Sequence, residues 1–188
     1  MFLGFSCNNR CSICAQGDAR STAPSIALEE ARRAIDAAEP GDVVAFTGGE
    51  PTLVDELPEL VGHAAGRGAA ALVQTNGRRL AYPAYVASLA AAAPSLALDV
   101  SLLGSTAAMH DYHTRTPGSF AQTAKGVRNA SAKRLRVGVT VVVTRSNHRH
   151  LVDIARLARA LGADAIHFAP LEAVGEALVQ LHRLTPSA

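Results

Sequence analysis

Six short runs rich in β-branched residues alternate along this chain with longer segments rich in alanine and leucine at helical period. Such alternation is the mark of a parallel α/β protein. Strands are expected at Phe2 to Ser6, Asp42 to Thr47, Ala70 to Thr75, Leu96 to Leu102, Arg136 to Thr144 and Ala165 to Pro170. They read as nearly continuous apolar runs, as strands covered on both faces do. Between them, Ile26 to Ala38 sets Leu28, Ala31, Ile35 and Ala38 on one helical face, and Leu151 to Leu161 does the same with Leu151, Ile154, Ala158 and Leu161. Further helices are expected near Leu53 to Ala65, Pro83 to Ala92, Ser119 to Ala132 and Glu172 to His182. Six strands are fewer than the eight of a closed ring, so the expected architecture is an open, partial (β/α)6 barrel of parallel strands.

With 188 residues the chain suits one domain with a substantial core and one active site. Its 18 basic and 16 acidic residues nearly cancel, and no basic block interleaved with aromatics marks a nucleic-acid stripe. The longest apolar stretches fall short of the roughly 18 to 20 residues that span a bilayer, so no membrane association is expected. Alanine and arginine are heavily used and lysine is scarce, which reflects coding bias of the source and not function.

Cys7, Cys11 and Cys14 are the whole cysteine inventory, and all lie in the stretch CNNRCSIC. Their odd number, with no hydrophobic signal sequence before them, argues against a disulfide framework and for reduced thiols in the cytoplasm. Three thiolates at this spacing can wrap one face of a cubic iron-sulfur cluster, whose complete protein shell would need a fourth cysteine. One iron is then left open, and an open coordination position is where a small molecule binds. Zinc is the alternative, with His63, His110 or His113 completing a Cys3His set from a distance. The spacing suits zinc less well, because zinc ligands usually come as two separated pairs.

On the strand map, the cysteine run follows the first strand, TGGEPT the second and QTNG the third, while Ser101 to Gly104 ends the fourth. Parallel barrels gather their sites at the carboxyl ends of strands, so these segments are expected to converge. In this order and context they resemble the radical SAM superfamily. CNNRCSIC is similar to its CxxxCxΦC loop, with Ile13 as the apolar residue, followed by Thr47-Gly48-Gly49-Glu50-Pro51 and Gln74-Thr75-Asn76-Gly77. The resemblance extends over nearly the whole chain and is nearest to the core of peptide-modifying members.

The resemblance implies that Cys7, Cys11 and Cys14 hold a 4Fe-4S cluster whose fourth iron is chelated by S-adenosylmethionine. Reductive cleavage would then give a 5′-deoxyadenosyl radical that abstracts hydrogen from a peptide or small metabolite. An external electron donor of flavodoxin or ferredoxin type is implied as a partner. Gly48 and Gly49 would let the backbone approach the methionyl amino group, and Glu50 would accept a hydrogen bond from it. As ordinary structure, the same segment reads as a strand-to-helix turn capped by Thr52 and Asp55. Gln74, Thr75 and Asn76 would line the methionine side, or else form a polar strand end with an Asn-Gly turn. Ser101 matches a serine that contacts the cofactor in an SLDG-like segment, although Leu103 stands where that pattern carries Asp.

His110, Asp111, Arg115 and then Gly118-Ser119-Phe120 resemble the loop that follows, with Arg115 able to pair with the cofactor carboxylate. Leu171, by position alone, would back the adenine. His148 and His150 flank Arg149 after Asn147, a good N-cap, and are expected in an exposed first helical turn and not at a metal. Residues 1–188 are expected to form a single core domain, open to truncation at the N-terminus and the C-terminus. The leading segment and auxiliary-cluster domain of many relatives are not expected in it. The competing expectation is a non-catalytic iron-sulfur or zinc-binding scaffold that retains the fold.

Overall fold

The computed structural model describes residues 1–17 and 26–186. Five parallel strands form one sheet in sequential order: β1 (Val43–Phe46), β2 (Ala70–Thr75), β3 (Ala97–Ser101), β4 (Arg136–Val142) and β5 (Ala165–Ala169). Sequential order with right-handed crossovers places every connecting helix on the same side of the sheet. These helices are α1 (Leu28–Asp36), α2 (Leu57–Gly66), α3 (Pro83–Ala92), α4 (Ala107–Thr114), α5 (Ser119–Ala132) and α6 (Leu151–Ala160), with short α7 (Gly175–Val179) and α8 (Leu181–Leu184) after β5.

The parallel α/β expectation holds, and the differences are local. The first expected strand is reduced to an isolated parallel bridge between Phe2 and Thr47, held by Leu3 N donating to Thr47 O at 2.9 Å and Thr47 N to Met1 O at 2.9 Å. Glycine at position 4 and the turn towards Cys7 carry the chain away before a ladder can form. The helix expected from Leu53 starts at Leu57, because Pro51–Leu53 closes a short 3-10 turn first. Glu172 to His182 breaks into α7 and α8, and the segment after β3, read as a loop, contains α4.

Strand burial alternates where continuous burial was expected. One face of the sheet carries Phe46, Val73, Leu98 and Val137 in register, all fully or almost fully buried against the helices. Leu57, Leu60, Leu89, Val127 and Ile154 complete that core from the helix side. The other face carries Gln74, Asp99 and Gly138 in register, and it looks into a cavity instead of a second helix layer. Polar side chains are tolerated there because they keep contact with solvent. Among the described residues no helix is long and apolar enough to cross a membrane.

Candidate functional site

The carboxyl ends of β1 to β4 and the cysteine loop enclose a cavity of about 600 Å³, a size suited to a cofactor or small ligand. Cys7, Cys11, Cys14 and Ile13 line it from the loop, Gly48 and Gly49 from the end of β1, Gln74, Thr75 and Asn76 from β2, and Ser101 from β3. Glu50, Arg115 and Leu171 lie outside this lining. The three thiols are half-buried, and no disulfide links them.

The loop is tied down on two sides. Towards β1 and β2, Gly49 N donates to Gly4 O at 2.7 Å and Glu50 N to Ser6 O at 2.8 Å. Asn76 Nδ2 donates to Asn8 Oδ1 at 2.7 Å and lies 3.9 Å from Cys7 Sγ. Arg78 reaches Asn8 O and, at 3.0 Å, Asn9 Oδ1, while its Nε donates to Gln122 Oε1 of α5 at 2.6 Å. Towards α4, Arg10 N donates to Thr114 O at 2.9 Å and Ser12 N to His113 O at 2.8 Å, so the orphan carbonyls of a helix end are used to hold the loop. Glu176 N of α7 donates to Cys14 O at 2.9 Å.

The two glycines have a packing reason beside the one the resemblance implied. A Cβ on Gly49 would stand 2.2 Å from Ser6 O and 2.3 Å from Phe5 O, and one on Gly48, where φ is +143°, would stand 2.5 Å from Gly4 O. They make room for the base of the cysteine loop, while their backbone also lines the cavity.

Glu50 is turned into the protein, where it is 3% exposed. Its Oε1 accepts from Thr52 N at 3.1 Å, Thr52 Oγ1 at 2.6 Å and Thr75 Oγ1 at 2.5 Å, and its Oε2 from Asn76 N at 2.7 Å. Burial raises its pKa, against the opposing pull of these donors. Thr52 is therefore engaged by Glu50 and Asp55 by Arg79 at 2.9 Å, so the capping pair expected of Thr52 and Asp55 does not form.

On α4, His110 and His113 are buried, and desolvation lowers each to a pKa of about 4. Both are neutral at pH 7. His110 Nδ1 accepts from Leu103 N at 3.2 Å, and His113 Nε2 lies 2.7 Å from Ser146 Oγ and 3.2 Å from Thr144 Oγ1. Asp111 caps α5: its carboxylate accepts from Gly118 N at 2.7 Å, Ser119 Oγ at 2.8 Å and Phe120 N at 2.8 Å. Burial opposes its ionisation, but the three donors outweigh it and lower the pKa.

Arg115 adopts φ +50° at the end of α4 and pairs with Glu176 at 3.0 Å. Leu171 is half-buried between β5 and α7. His148 and His150 occupy a surface 3-10 turn, but Asn147 does not cap it. Its buried side chain instead accepts from Thr144 N at 2.7 Å and donates to Val142 O at 2.9 Å and Leu103 O at 3.2 Å. Arg78, Asp99 and the α4 carbonyls were absent from the sequence reading. A charge inside the apolar run LALDVSLL was the available signal for Asp99.

His63 sits on α2, 2.8 Å from Asp36 of α1 and away from the cavity lining. Among the described residues no three His, Cys, Asp or Glu side chains gather closely enough to hold a single metal ion. A cubic cluster asks for something else, since each cysteine binds a different iron and the thiols must stand apart around the cube. Three half-buried thiols on one loop line one cavity, a donor set that a cubic cluster can use.

The family model of the radical SAM superfamily matches residues 1–158. The AdoMet-dependent heme synthase of Oleidesulfovibrio alaskensis is 29% identical over 92% of this chain and 45% of its own length. The mycofactocin maturase MftC of Mycobacterium ulcerans is 33% identical over 86% of this chain and 44% of its own. The chain thus spans less than half of these relatives. Among solved structures, Streptococcus suis SuiB bound to S-adenosylmethionine superposes with a TM-score of 0.78 at 14% identity, covering 100% of this chain and 42% of that one. Native anSMEcpe with bound AdoMet and Kp18Cys peptide superposes with a TM-score of 0.74 at 17% identity, covering 90% and 49%. Both likenesses are of fold.

Proposed function

The chain belongs to the radical SAM superfamily, and on that premise we propose that it holds a 4Fe-4S cluster through Cys7, Cys11 and Cys14 and acts with S-adenosylmethionine on a peptide or small metabolite. The observation that carries this reading is the placement of all three thiols around one cavity whose remaining walls are strand ends. The cofactor pair supplies, on one-electron reduction, a carbon radical able to abstract hydrogen. The chain's own residues bind, orient and shield. Ile13 adds an apolar side chain to the lining that holds the thiols and helps to keep water from them. Gln74, Asn76 and Ser101 offer amide and hydroxyl groups to a polar ligand from β2 and β3, whereas Thr75 and Glu50 hold the β2 end in place from behind. Arg115 pairs with Glu176 through Nη1 and would offer its remaining N–H groups to a cofactor carboxylate, and Leu171 would act from the segment after β5.

Reconstitution with iron and sulfide without oxygen, then reduction by an external donor in the presence of S-adenosylmethionine, tests the reading. Formation of 5′-deoxyadenosine above a cluster-free control is expected. Iron-loaded protein that makes none would sink the enzymatic reading in favour of a scaffold, and one zinc per chain without iron would displace the cluster as well.

A further inference from the structure

The inner wall of the cavity contains a charge for which the reading above has no use. Asp99 projects from the middle of β3, in register with Gln74 on one side and Gly138 on the other. Because Gly138 has no side chain, space is left beside the carboxylate. Thr140 Oγ1 donates to Asp99 Oδ1 at 2.6 Å and fixes its orientation, while Oδ2 has no partner among the described residues. Apart from the cysteines, Asp99 is the only ionisable side chain in the described lining; no Lys, Arg or His shares it.

A half-buried carboxylate has lost part of its hydration, and that cost is recovered when a cation or N–H donor meets it. A ligand presenting its own carboxylate there would meet like charge in a site of reduced dielectric, with nothing in the lining to neutralise either group. The usual acid of the strand-end pattern is absent, since Leu103 occupies that place and is 3% exposed. Apart from the cysteines, negative charge in the described lining therefore comes from one carboxylate, deeper in the barrel.

We propose that Asp99, held by Thr140, is a subsite for a cationic or N–H-donating group of the substrate, such as the guanidinium or amine of a basic residue, and that it disfavours substrates presenting a carboxylate at that point. The proposal rests on the cavity being the reaction chamber. It specifies the substrate class that the chamber accepts.

The test uses the reconstituted, oxidised protein with and without S-adenosylmethionine, titrated calorimetrically with acetyl-arginine amide, acetyl-citrulline amide and acetyl-glutamate amide. The arginine amide should bind at least about tenfold tighter than its neutral isostere, and the glutamate amide weakest of the three. Asp99→Asn should bring the three within about twofold, and Thr140→Val, which keeps the charge but frees its orientation, should lose part of the preference. S-adenosylmethionine affinity and substrate-free 5′-deoxyadenosine formation should stay within about twofold in both variants. Wild-type protein without a preference for the arginine amide overturns the proposal. So does a loss of S-adenosylmethionine binding of about tenfold or more in folded Asp99→Asn, which would assign the carboxylate to the cofactor. Should Asp99→Asn not fold, Thr140→Val decides by the same measurements. A wild type that selects the arginine amide but makes no 5′-deoxyadenosine leaves the subsite standing and removes the enzymatic reading.

Discussion

The cysteine loop is gripped on two sides by different chemistry. On the β1 and β2 side the grip is made by side chains and by the lack of them: Asn76 and Arg78 reach over to Asn8 and Asn9, and Gly48 and Gly49 clear space for residues 4 to 6. On the α4 side it is made by backbone, with the carbonyls of His113 and Thr114 accepting from Ser12 and Arg10. The first grip depends on which residues are present, the second on where a helix ends. Substitution therefore acts directly on one side, whereas the other yields to whatever shifts α4, including protonation of its own buried imidazoles.

Gly49→Val should break the first grip outright. Its side chain would overlap the carbonyls of Phe5 and Ser6, a clash worth about 3 kcal/mol or more. The expected result is loss of iron on reconstitution with a lowered melting temperature. A variant with full iron that fails only to bind S-adenosylmethionine would show that the glycine serves the cofactor instead.

Acid should loosen the second grip. A base whose folded pKa lies below its unfolded value is protonated more readily in the unfolded chain. The stability that neutral His110 and His113 contribute at pH 7 is thus lost as pH falls from about 6.5 towards about 4. The loss is on the order of 3 kcal/mol for each imidazole across that window. Glu50 has the opposite sign: a carboxyl whose folded pKa is raised gains relative stability as the pH falls. Hydrogen exchange should accordingly rise in residues 107–114 before residues 75–78 as the pH is lowered, and simultaneous opening would show that the two sides are not separable.

Arg78→Met removes the strap to Asn8 and Asn9 while keeping the stem, at a cost of about 1 to 2 kcal/mol. Iron should be incorporated but lost faster to a chelator, and unchanged retention would mean that Asn76 alone suffices. Arg115→Ala breaks an exposed pair with Glu176 and should cost no more than about 0.5 kcal/mol in a thermal melt. A loss of S-adenosylmethionine affinity of about tenfold would instead restore Arg115 to the cofactor site.

The same contrast explains what could be read from the residues. The cysteine spacing, the glycines and QTNG are side-chain statements, and the sequence displays them in order. Helix boundaries at Pro83 and Ser119 were legible because proline and the Gly118-Ser119 step punctuate them. The α4 grip was not legible, since a carbonyl carries no residue name. His110, Asp111 and His113 seemed loop residues until the helix and the cap on α5 supplied their partners. Glu50 was assigned outward to a ligand because its neighbours suggested one, and only tertiary packing reveals three hydroxyl and amide donors from positions 52 and 75 turning it inward.

The inward turn of Glu50 has a thermodynamic consequence for anything that binds above it. Its carboxylate knots the end of β1 to the end of β2 through Thr52, Thr75 and Asn76, so these two loops are ordered when the chain folds and not when a ligand arrives. The conformational entropy is spent in advance. Association at this wall should then resemble docking onto a rigid template, with a rate set by diffusion and orientation and little further loss of backbone freedom.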